Sequence, residues 1–504
     1  MYKLSYYVIM KNILLSTGFA LFLCVCSCGK TSFVPSPSPN PWKDDYRSVS
    51  KMEDYRQWGT YNVHDPACKK FGDYYYMYST DAIFMENRRE IREKEIPTGY
   101  IQVRRSKDLV NWEFVGWAFP EIPEEAVKWV RNNSGGRGAT NIWAPYIIQY
   151  NDKYRLYYCV SAFGKKTSYI GLAESPSPEG PWELKGCVVK TDNESVMNAI
   201  DPSVIIDVEN GKWWMHYGSF FGGVFCVQLN PETGLPVKEG DQGHLTARRA
   251  NYKKDNLEGP EVVYHPGLKK YFLFMSYDPL MTTYNVRVGR SDVPEGPFFD
   301  YNGLNLKDTV NNFPILTAPY RFDNHPGWAG TAHCGVWGEE DGRFFMFHQG
   351  RLSPYNAMMV LHTRQVFFTP EGWPVVSPER YAGSKPHRFE KEDLAGEWEM
   401  IRILEPRHER GLEAGQVLQG EGELTRDEWN VSFHTTLTKE GLLENGLGQW
   451  KFTDDDQILN LIIGEEAINN LIVFAGHDWE NEQETVLFTG LDKAGRSFWG
   501  KRIK

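Results

Sequence analysis

The sequence predicts an all-β chain: a five-bladed β-propeller followed by a small antiparallel β-barrel or sandwich domain. Three observations carry that expectation. A two-strand unit recurs five times before residue 352, a second two-strand pattern follows each copy, and the text changes character near residue 388.

The five copies are "HDPACKKFGDYYYMYST", "WAPYIIQYNDKYRLYYCVSAF", "IDPSVIIDVENGKWWMHYGSFF", "EGPEVVYHPGLKKYFLFMSYD" and "HCGVWGEEDGRFFMFHQGR". Each sets two short apolar strands around a polar turn holding Gly, Asn or Asp, which is hairpin chemistry. Behind them come "GYIQVRRSKDLVNWEF", "SYIGLAESPSPEGPWEL", "GVFCVQLNPETGLPV", "YNVRVGRSDVPEGPFFD" and "MMVLHTRQVFFTPEGWPVV". These read as a third strand, a turn and a short fourth strand, so the repeat is a four-stranded antiparallel blade. Helical periodicity is nearly absent from this region, expected to span residues 51–385. A long β-sandwich would not repeat a four-strand unit five times.

Residues 386–504 form the second domain. "DLAGEWEMIRI", "LTRDEWNVSFHTTLT", "GQWKFTDDDQILNLIIG", "NLIVFAGHDWENEQETVLFTGLD" and "RSFWGKRIK" alternate apolar and polar residues at period two, with turn signals between them.

Residues 1–28 read as a lipoprotein signal peptide. Lys3 and Lys11 precede the apolar run "ILLSTGFALFLCVCSC", and Met10 offers a second plausible start. The run closes on Val25-Cys26-Ser27-Cys28, which resembles a bacterial lipobox with Cys28 as the lipidated residue. Residues 29–50, with "SFVPSPSPNPW", are a proline-rich spacer holding the rest off a membrane. The expected location is therefore beyond the inner membrane, anchored by lipid to the outer membrane, with the chain acting as a monomer. The five later cysteines are widely spaced with no CxxC pair, and read as small buried hydrophobes.

With 504 residues, more than one core is expected, since single cores stop growing near about 250–300 residues. The balance of 55 Lys+Arg against 66 Asp+Glu, net charge -11, argues against a nucleic-acid partner. A neutral substrate fits better, and an aromatic content of 14% leaves flat faces to offer it.

In a propeller the first strand of each blade lines the central channel, so the residues opening the five copies converge. They are Asp65, Trp143, Asp201, Glu258 and His333. Three acids at one channel mouth repel one another, which drives their pKa values apart and keeps one protonated near neutrality. Glycosidic cleavage needs such a set: one carboxyl to protonate the leaving oxygen, another to activate water or attack carbon. Each acid stands beside or one residue from a proline that stiffens its backbone: Asp65-Pro66, Asp201-Pro202 and Glu258-Gly259-Pro260. One Asp-Pro pair is ordinarily a turn. Three at matching places in a fivefold repeat point to chemistry.

Over roughly residues 55–380 the chain resembles glycoside hydrolase family 43, through "HDP", "WAP", "IDPS", "EGPE" and the closing "DGRFFMFH". The resemblance implies an inverting mechanism, with Asp65 as general base, Glu258 as general acid and Asp201 raising and orienting that acid. Glu261, three residues past Glu258, is set aside because it falls on the strand body. Within the family the chain is most similar to extracellular arabinanases, which implies cleavage of α-1,5-linked arabinan, a plant cell-wall polysaccharide. His333 in "TAHCGVW" stands where arabinanases carry a histidine near a central metal ion, here expected to be Ca2+ completed by water because calcium prefers oxygen ligands. Trp143 and Phe163 match the spacing of arabinanase aromatics that stack on furanose rings, and Phe220 and Phe221 in "YGSFFGGV" are further candidates. "FTGLDKAGRSFWGKR" resembles the accessory domain of larger endo-arabinanases.

Two departures bear on specificity. "WAPY" stands where many relatives have "WAPD", and residues 81–99, "DAIFMENRREIREKEIPTG", form a charged insertion beside the first blade. Endo versus exo action is left open, with an exo-acting arabinofuranosidase or β-xylosidase as the alternative. A fructan-cleaving propeller would read Asn-Asp-Pro and Arg-Asp-Pro where this chain has His64-Asp65-Pro66 and Ile200-Asp201-Pro202. A non-catalytic sugar-binding lipoprotein would need none of the three acids.

Overall fold

Period-two alternation gives each repeat its hairpins, and in the computed structural model the five repeats become five groups of four antiparallel strands. The structure describes residues 44–46, 51–82, 100–249, 255–354, 359–406, 424, 429–446 and 448–504. The leader with Cys28, most of the spacer and residues 83–99 of the charged insertion lie outside the described residues.

Blade I consists of His64–Phe71, Tyr74–Thr80, Tyr100–Ser106 and Glu113–Phe119. Blade II consists of Trp143–Tyr150, Lys153–Ser161, Ser168–Ser175 and Glu183–Thr191. Blade III consists of Ser203–Ile206, Trp213–Tyr217, Val224–Leu229 and His244–Ala247. Blade IV consists of Leu257–His265, Lys270–Tyr277, Asn285–Ser291 and Ile315–Thr317. These four are separate four-stranded sheets. The fifth repeat, Cys334–Gly338, Phe344–Leu352, Met359–Phe368 and Pro374–Val376, lies within a seven-stranded sheet.

The first strands pack in a ring, each against the first strand of the blade before and after it, with blade I meeting blade V. Backbone bonds help to close the circle: Asn62 N–H donates to Met359 O at 2.8 Å and Leu361 N–H to Thr60 O at 2.9 Å. The apolar cores fill the spaces between neighbouring sheets. In one, Ile147, Leu156 and Tyr158 of blade II meet Tyr78 and Val103 of blade I.

Two expectations shift. In blades III and IV the fourth strand comes later than the proline- and glycine-rich text after the third. That text folds back in isolated bridges, Leu229 with Pro236 and Arg290 with Phe299, and the strands form at His244–Ala247 and Ile315–Thr317. A helix, Glu124–Ser134, also interrupts the β text between blades I and II. Acidic residues in its first turn, a Glu124–Lys128 pair and a left-handed Gly135 cap support it, and Ala126 and Val130 bury against the blades.

The C-terminal text forms a closed eight-stranded barrel, from Gly396–Arg402 round to Ser497–Arg502, which pairs back with the first strand. Trp398, Met400, Leu459, Leu461, Ile468 and Phe488 are among the side chains packing its core. The barrel is fused to the propeller. Asn430–Val431 adds to the sheet of blade V, Ser497 Oγ donates to Ile315 O at 2.9 Å, and Ile401, Ile403 and Trp499 join the same apolar cluster as Phe272, Trp328 and Val375.

Candidate active site

Backbone strain marks the channel mouth in every blade. Asp65, Ala144, Asp201, Gly259 and His333 all hold positive φ, at 50°, 37°, 59°, 59° and 52°. L-residues rarely adopt this conformation, and where it recurs the surrounding fold must enforce it. In blades I, II and IV the register slips at this point, between His64 and Ala67, Trp143 and Tyr146, and Glu258 and Glu261. Each slip leaves residues out of the ladder at the strand's start. The central residue of each motif is therefore the equivalent one, which corrects the alignment of the five copies. Trp143 and Glu258 sit one position earlier, level with His64 and Ile200.

Glycine suits position 259. Its φ is left-handed, and a Cβ there would stand 3.3 Å from the ring of His333.

Asp65 is buried and gripped from its own blade and from the fifth. Thr80 Oγ1 donates to its Oδ2 at 2.8 Å and itself accepts the Ala144 N–H at 2.8 Å. The Asp65 N–H donates to Gln349 Oε1 at 3.3 Å. His333 Nδ1 and His64 Nδ1 approach Asp65 Oδ1 at 2.9 and 2.6 Å. Burial alone would raise the Asp65 carboxyl, but His333 and His64 overcome it and hold it well below the usual carboxylate range.

Asp201 is the opposite case. Burial lifts its carboxyl well above the ordinary value; His333 opposes the rise, while the charges of Glu258 and Asp65 add to it. Its Oδ2 accepts the Gly259 N–H at 3.1 Å. Glu258 is clasped by two hydroxyls, Ser219 Oγ to Oε2 at 2.6 Å and Tyr284 OH to Oε1 at 2.7 Å. Burial and then the Glu258 charge push the Tyr284 phenol far up, so it remains a donor. Burial would lower the His333 imidazole, but Asp65, Asp201 and Glu258 raise it to about 10. The mouth thus holds one carboxyl pushed well down and a neighbouring one pushed well up, the separation of pKa values that acid–base chemistry uses.

Trp143 meets the half-exposed Phe163 edge to face, ring centroids 6.3 Å apart. Phe220 and Phe221 sit in a turn tied to the Glu258 strand, with Phe220 N–H donating to Leu257 O at 2.8 Å, and both have positive φ. Tyr146, the departure in "WAPY", is buried with its hydroxyl donated to Val204 O at 2.8 Å. Glu261 lies further along the strand, bonded to Lys69 and Ser203.

Thr80, Ser219, Tyr284 and His64 are the site residues the sequence reading did not assign. Thr80, Ser219 and Tyr284 fall at the end of a second strand or the start of a third, the ends that return to the channel mouth. As for calcium, His333 turns Nδ1 toward Asp65, which leaves Nε2 as its donor to an ion. Among the described residues no group of three ligating side chains gathers at His333. The residues fit a hydrated ion held by one imidazole and water, not a protein-built oxygen cage.

Residues 59–374 match the family model described as glycosyl hydrolases family 43, and residues 378–500 match one described as a C-terminal lipocalin-like domain. The chain is 29% identical over 484 residues to an extracellular endo-α-(1→5)-L-arabinanase of Thermotoga petrophila, covering 88% of this chain and 94% of that one. A crystal structure of endo-1,5-α-L-arabinanase from the same species superposes with a TM-score of 0.72 at 26% identity, covering 89% of this chain and 99% of that one. An extracellular exo-α-(1→5)-L-arabinofuranosidase of Cellvibrio japonicus is 30% identical over 331 residues, 62% of this chain and 86% of the relative.

Proposed function

Because this chain belongs to the glycosyl hydrolases of family 43, we propose that it hydrolyses α-1,5-linked L-arabinofuranosyl bonds in arabinan by inversion. Asp65 is the general base that activates water, Glu258 the general acid that protonates the leaving oxygen, and Asp201 the neighbour that keeps a proton in the site and orients the acid. The observation that carries this reading is the division of labour at the mouth. Asp65 is held ionised by two imidazoles, while Asp201 is pushed toward its protonated form against the Glu258 strand. An inverting pair stands about 6.5–9.5 Å apart to admit the water.

Endo action is favoured because the relative that matches along propeller and barrel together is named an endo-arabinanase. Trp143, Phe163, Phe220 and Phe221 offer apolar faces to furanose rings. A calcium ion on His333 and water would add positive charge at the mouth, and to bind there it must displace the proton that the metal-free imidazole retains. Secretion agrees with the extracellular relatives, with Cys28 as a lipid anchor and the chain acting alone as a monomer.

The test is product analysis on linear arabinan, branched arabinan, arabinoxylan and xylan, with anomeric configuration followed by NMR. Intermediate oligosaccharides from linear arabinan, released first as β-anomers, are expected. Release of arabinose alone would assign exo action, and turnover confined to xylan would overturn the reading.

A further inference from the structure

A second polar layer crosses the channel further along the first strands. Lys69, four residues on from Asp65, donates to Glu261 Oε1 at 3.0 Å and to Val336 O at 3.2 Å. Glu261, three residues on from Glu258, accepts Ser203 Oγ at 2.9 Å on its other oxygen and the Val336 N–H at 3.3 Å. The Lys69 ammonium also lies 4.9 Å from the ring of Tyr146 and 5.9 Å from that of Trp337. One residue or more from each of the five first strands therefore meets at this level.

Blades I and IV are not neighbours in the ring, so the Lys69–Glu261 bond spans the channel. It joins the strand that carries Asp65 to the strand that carries Glu258. Glu261 is buried and Lys69 nearly so, their side chains 4% and 12% exposed. Burial would lower the Lys69 ammonium, but the Glu261 charge more than offsets it and holds the ammonium above the usual lysine range. A buried ion pair is a poor device for stability alone, because desolvation cancels much of its attraction and apolar packing does as well. Its value lies in fixed geometry.

Resting on the assignment of Asp65 as base and Glu258 as acid, we infer that Lys69 and Glu261 are a positioning pair that sets the separation of those two carboxylates across the channel. Inversion requires a gap that admits one water in line, and small misplacements of reacting groups are costly.

Wild-type hydrolysis of linear arabinan comes first, and its absence would count against the functional assignment, not against the tether. With that activity in hand, Lys69→Met combined with Glu261→Gln removes both charges and strands neither, since the amide oxygen can accept the Val336 N–H in place of Oε1 while the amide NH2 donates to Ser203 Oγ in place of Oε2. The expected result is a folded protein whose kcat falls about 10- to 100-fold with KM within about threefold. Lys69→Arg, which preserves the charge and the bond, is expected to recover most of kcat. A double variant with wild-type kcat would overturn the proposal. So would an unfolded double variant, or one with lowered Tm and unchanged kcat, because the pair would then be a support of the ring.

Discussion

Tyr284 donates its hydroxyl to Oε1 of Glu258 at 2.7 Å, and burial keeps that phenol a donor throughout the working range. The contact joins the start of the third strand of blade IV to the start of its first, and fixes one carboxyl oxygen while Ser219 fixes the other. Tyr284→Phe is expected to lower kcat on arabinan by an amount equivalent to about 1.5–3 kcal/mol, the range for hydrogen bonds to charged groups. Steady-state kinetics check this, and an unchanged kcat would remove Tyr284 from the site.

On the proposed mechanism Asp201 sets the alkaline edge of activity. Its carboxyl is lifted by burial and by the charges of Glu258 and Asp65, so the site retains a proton to higher pH than an isolated Asp would allow. Asp201→Asn removes that proton-holding group from beside Glu258. The alkaline limb of the pH–rate profile should move to lower pH while the acid limb, set by Asp65, stays in place. An alkaline limb that does not move would assign Asp201 a purely structural part.

If a cation sits on His333, chelation should lower both Tm and activity, and added calcium should restore them, because a ligand bound only to the folded state stabilises it by mass action. Protein shown to be metal-free by elemental analysis, yet equally stable and active, would exclude the ion.

One buried lysine adds to the joint between barrel and propeller. Lys501 contacts Glu379 at 3.0 Å, Asp478 at 2.8 Å, Glu399 at 3.6 Å and Glu480, with the ring of Phe322 4.0 Å away. Lys501→Met should cost about 3–5 kcal/mol by leaving buried acids uncompensated. Burial and the Glu480 charge raise the Glu379 carboxyl well above its ordinary value of 4.5, against the pull of Lys501. Glu379 therefore binds a proton when folded that the unfolded chain has released. Its contribution to stability is complete below pH 4.5 and is lost as pH rises toward the folded pKa. Tm measured against pH should show that decline, and Glu379→Gln should flatten it.

Most of the fold was legible because the repeat is spelled in local chemistry, hairpin turns and period-two strands. Asp65 and Asp201 were legible because a proline follows each at a matching place in its repeat. The fourth strands of blades III and IV were not, since loop text there also pairs briefly with the third strand. Thr80, Ser219 and Tyr284 are ordinary residues far apart in sequence, and only the return of strand ends to the mouth brings them to the acids. Glu261 shows the converse. It resembles Glu258 in sequence, and its partner Lys69 settles its place one level deeper in the channel.

In the proposed mechanism Glu258 gives the proton and Asp65 activates the water. Its most direct test compares Glu258→Ala and Asp65→Ala on linear arabinan and on a nitrophenyl α-L-arabinofuranoside, whose leaving group needs little protonation. Glu258→Ala should lose the polymer and keep turnover of the nitrophenyl substrate, while Asp65→Ala should lose both. Retention of polymer hydrolysis by Glu258→Ala, or equal losses on both substrates in both variants, would contradict the assignment.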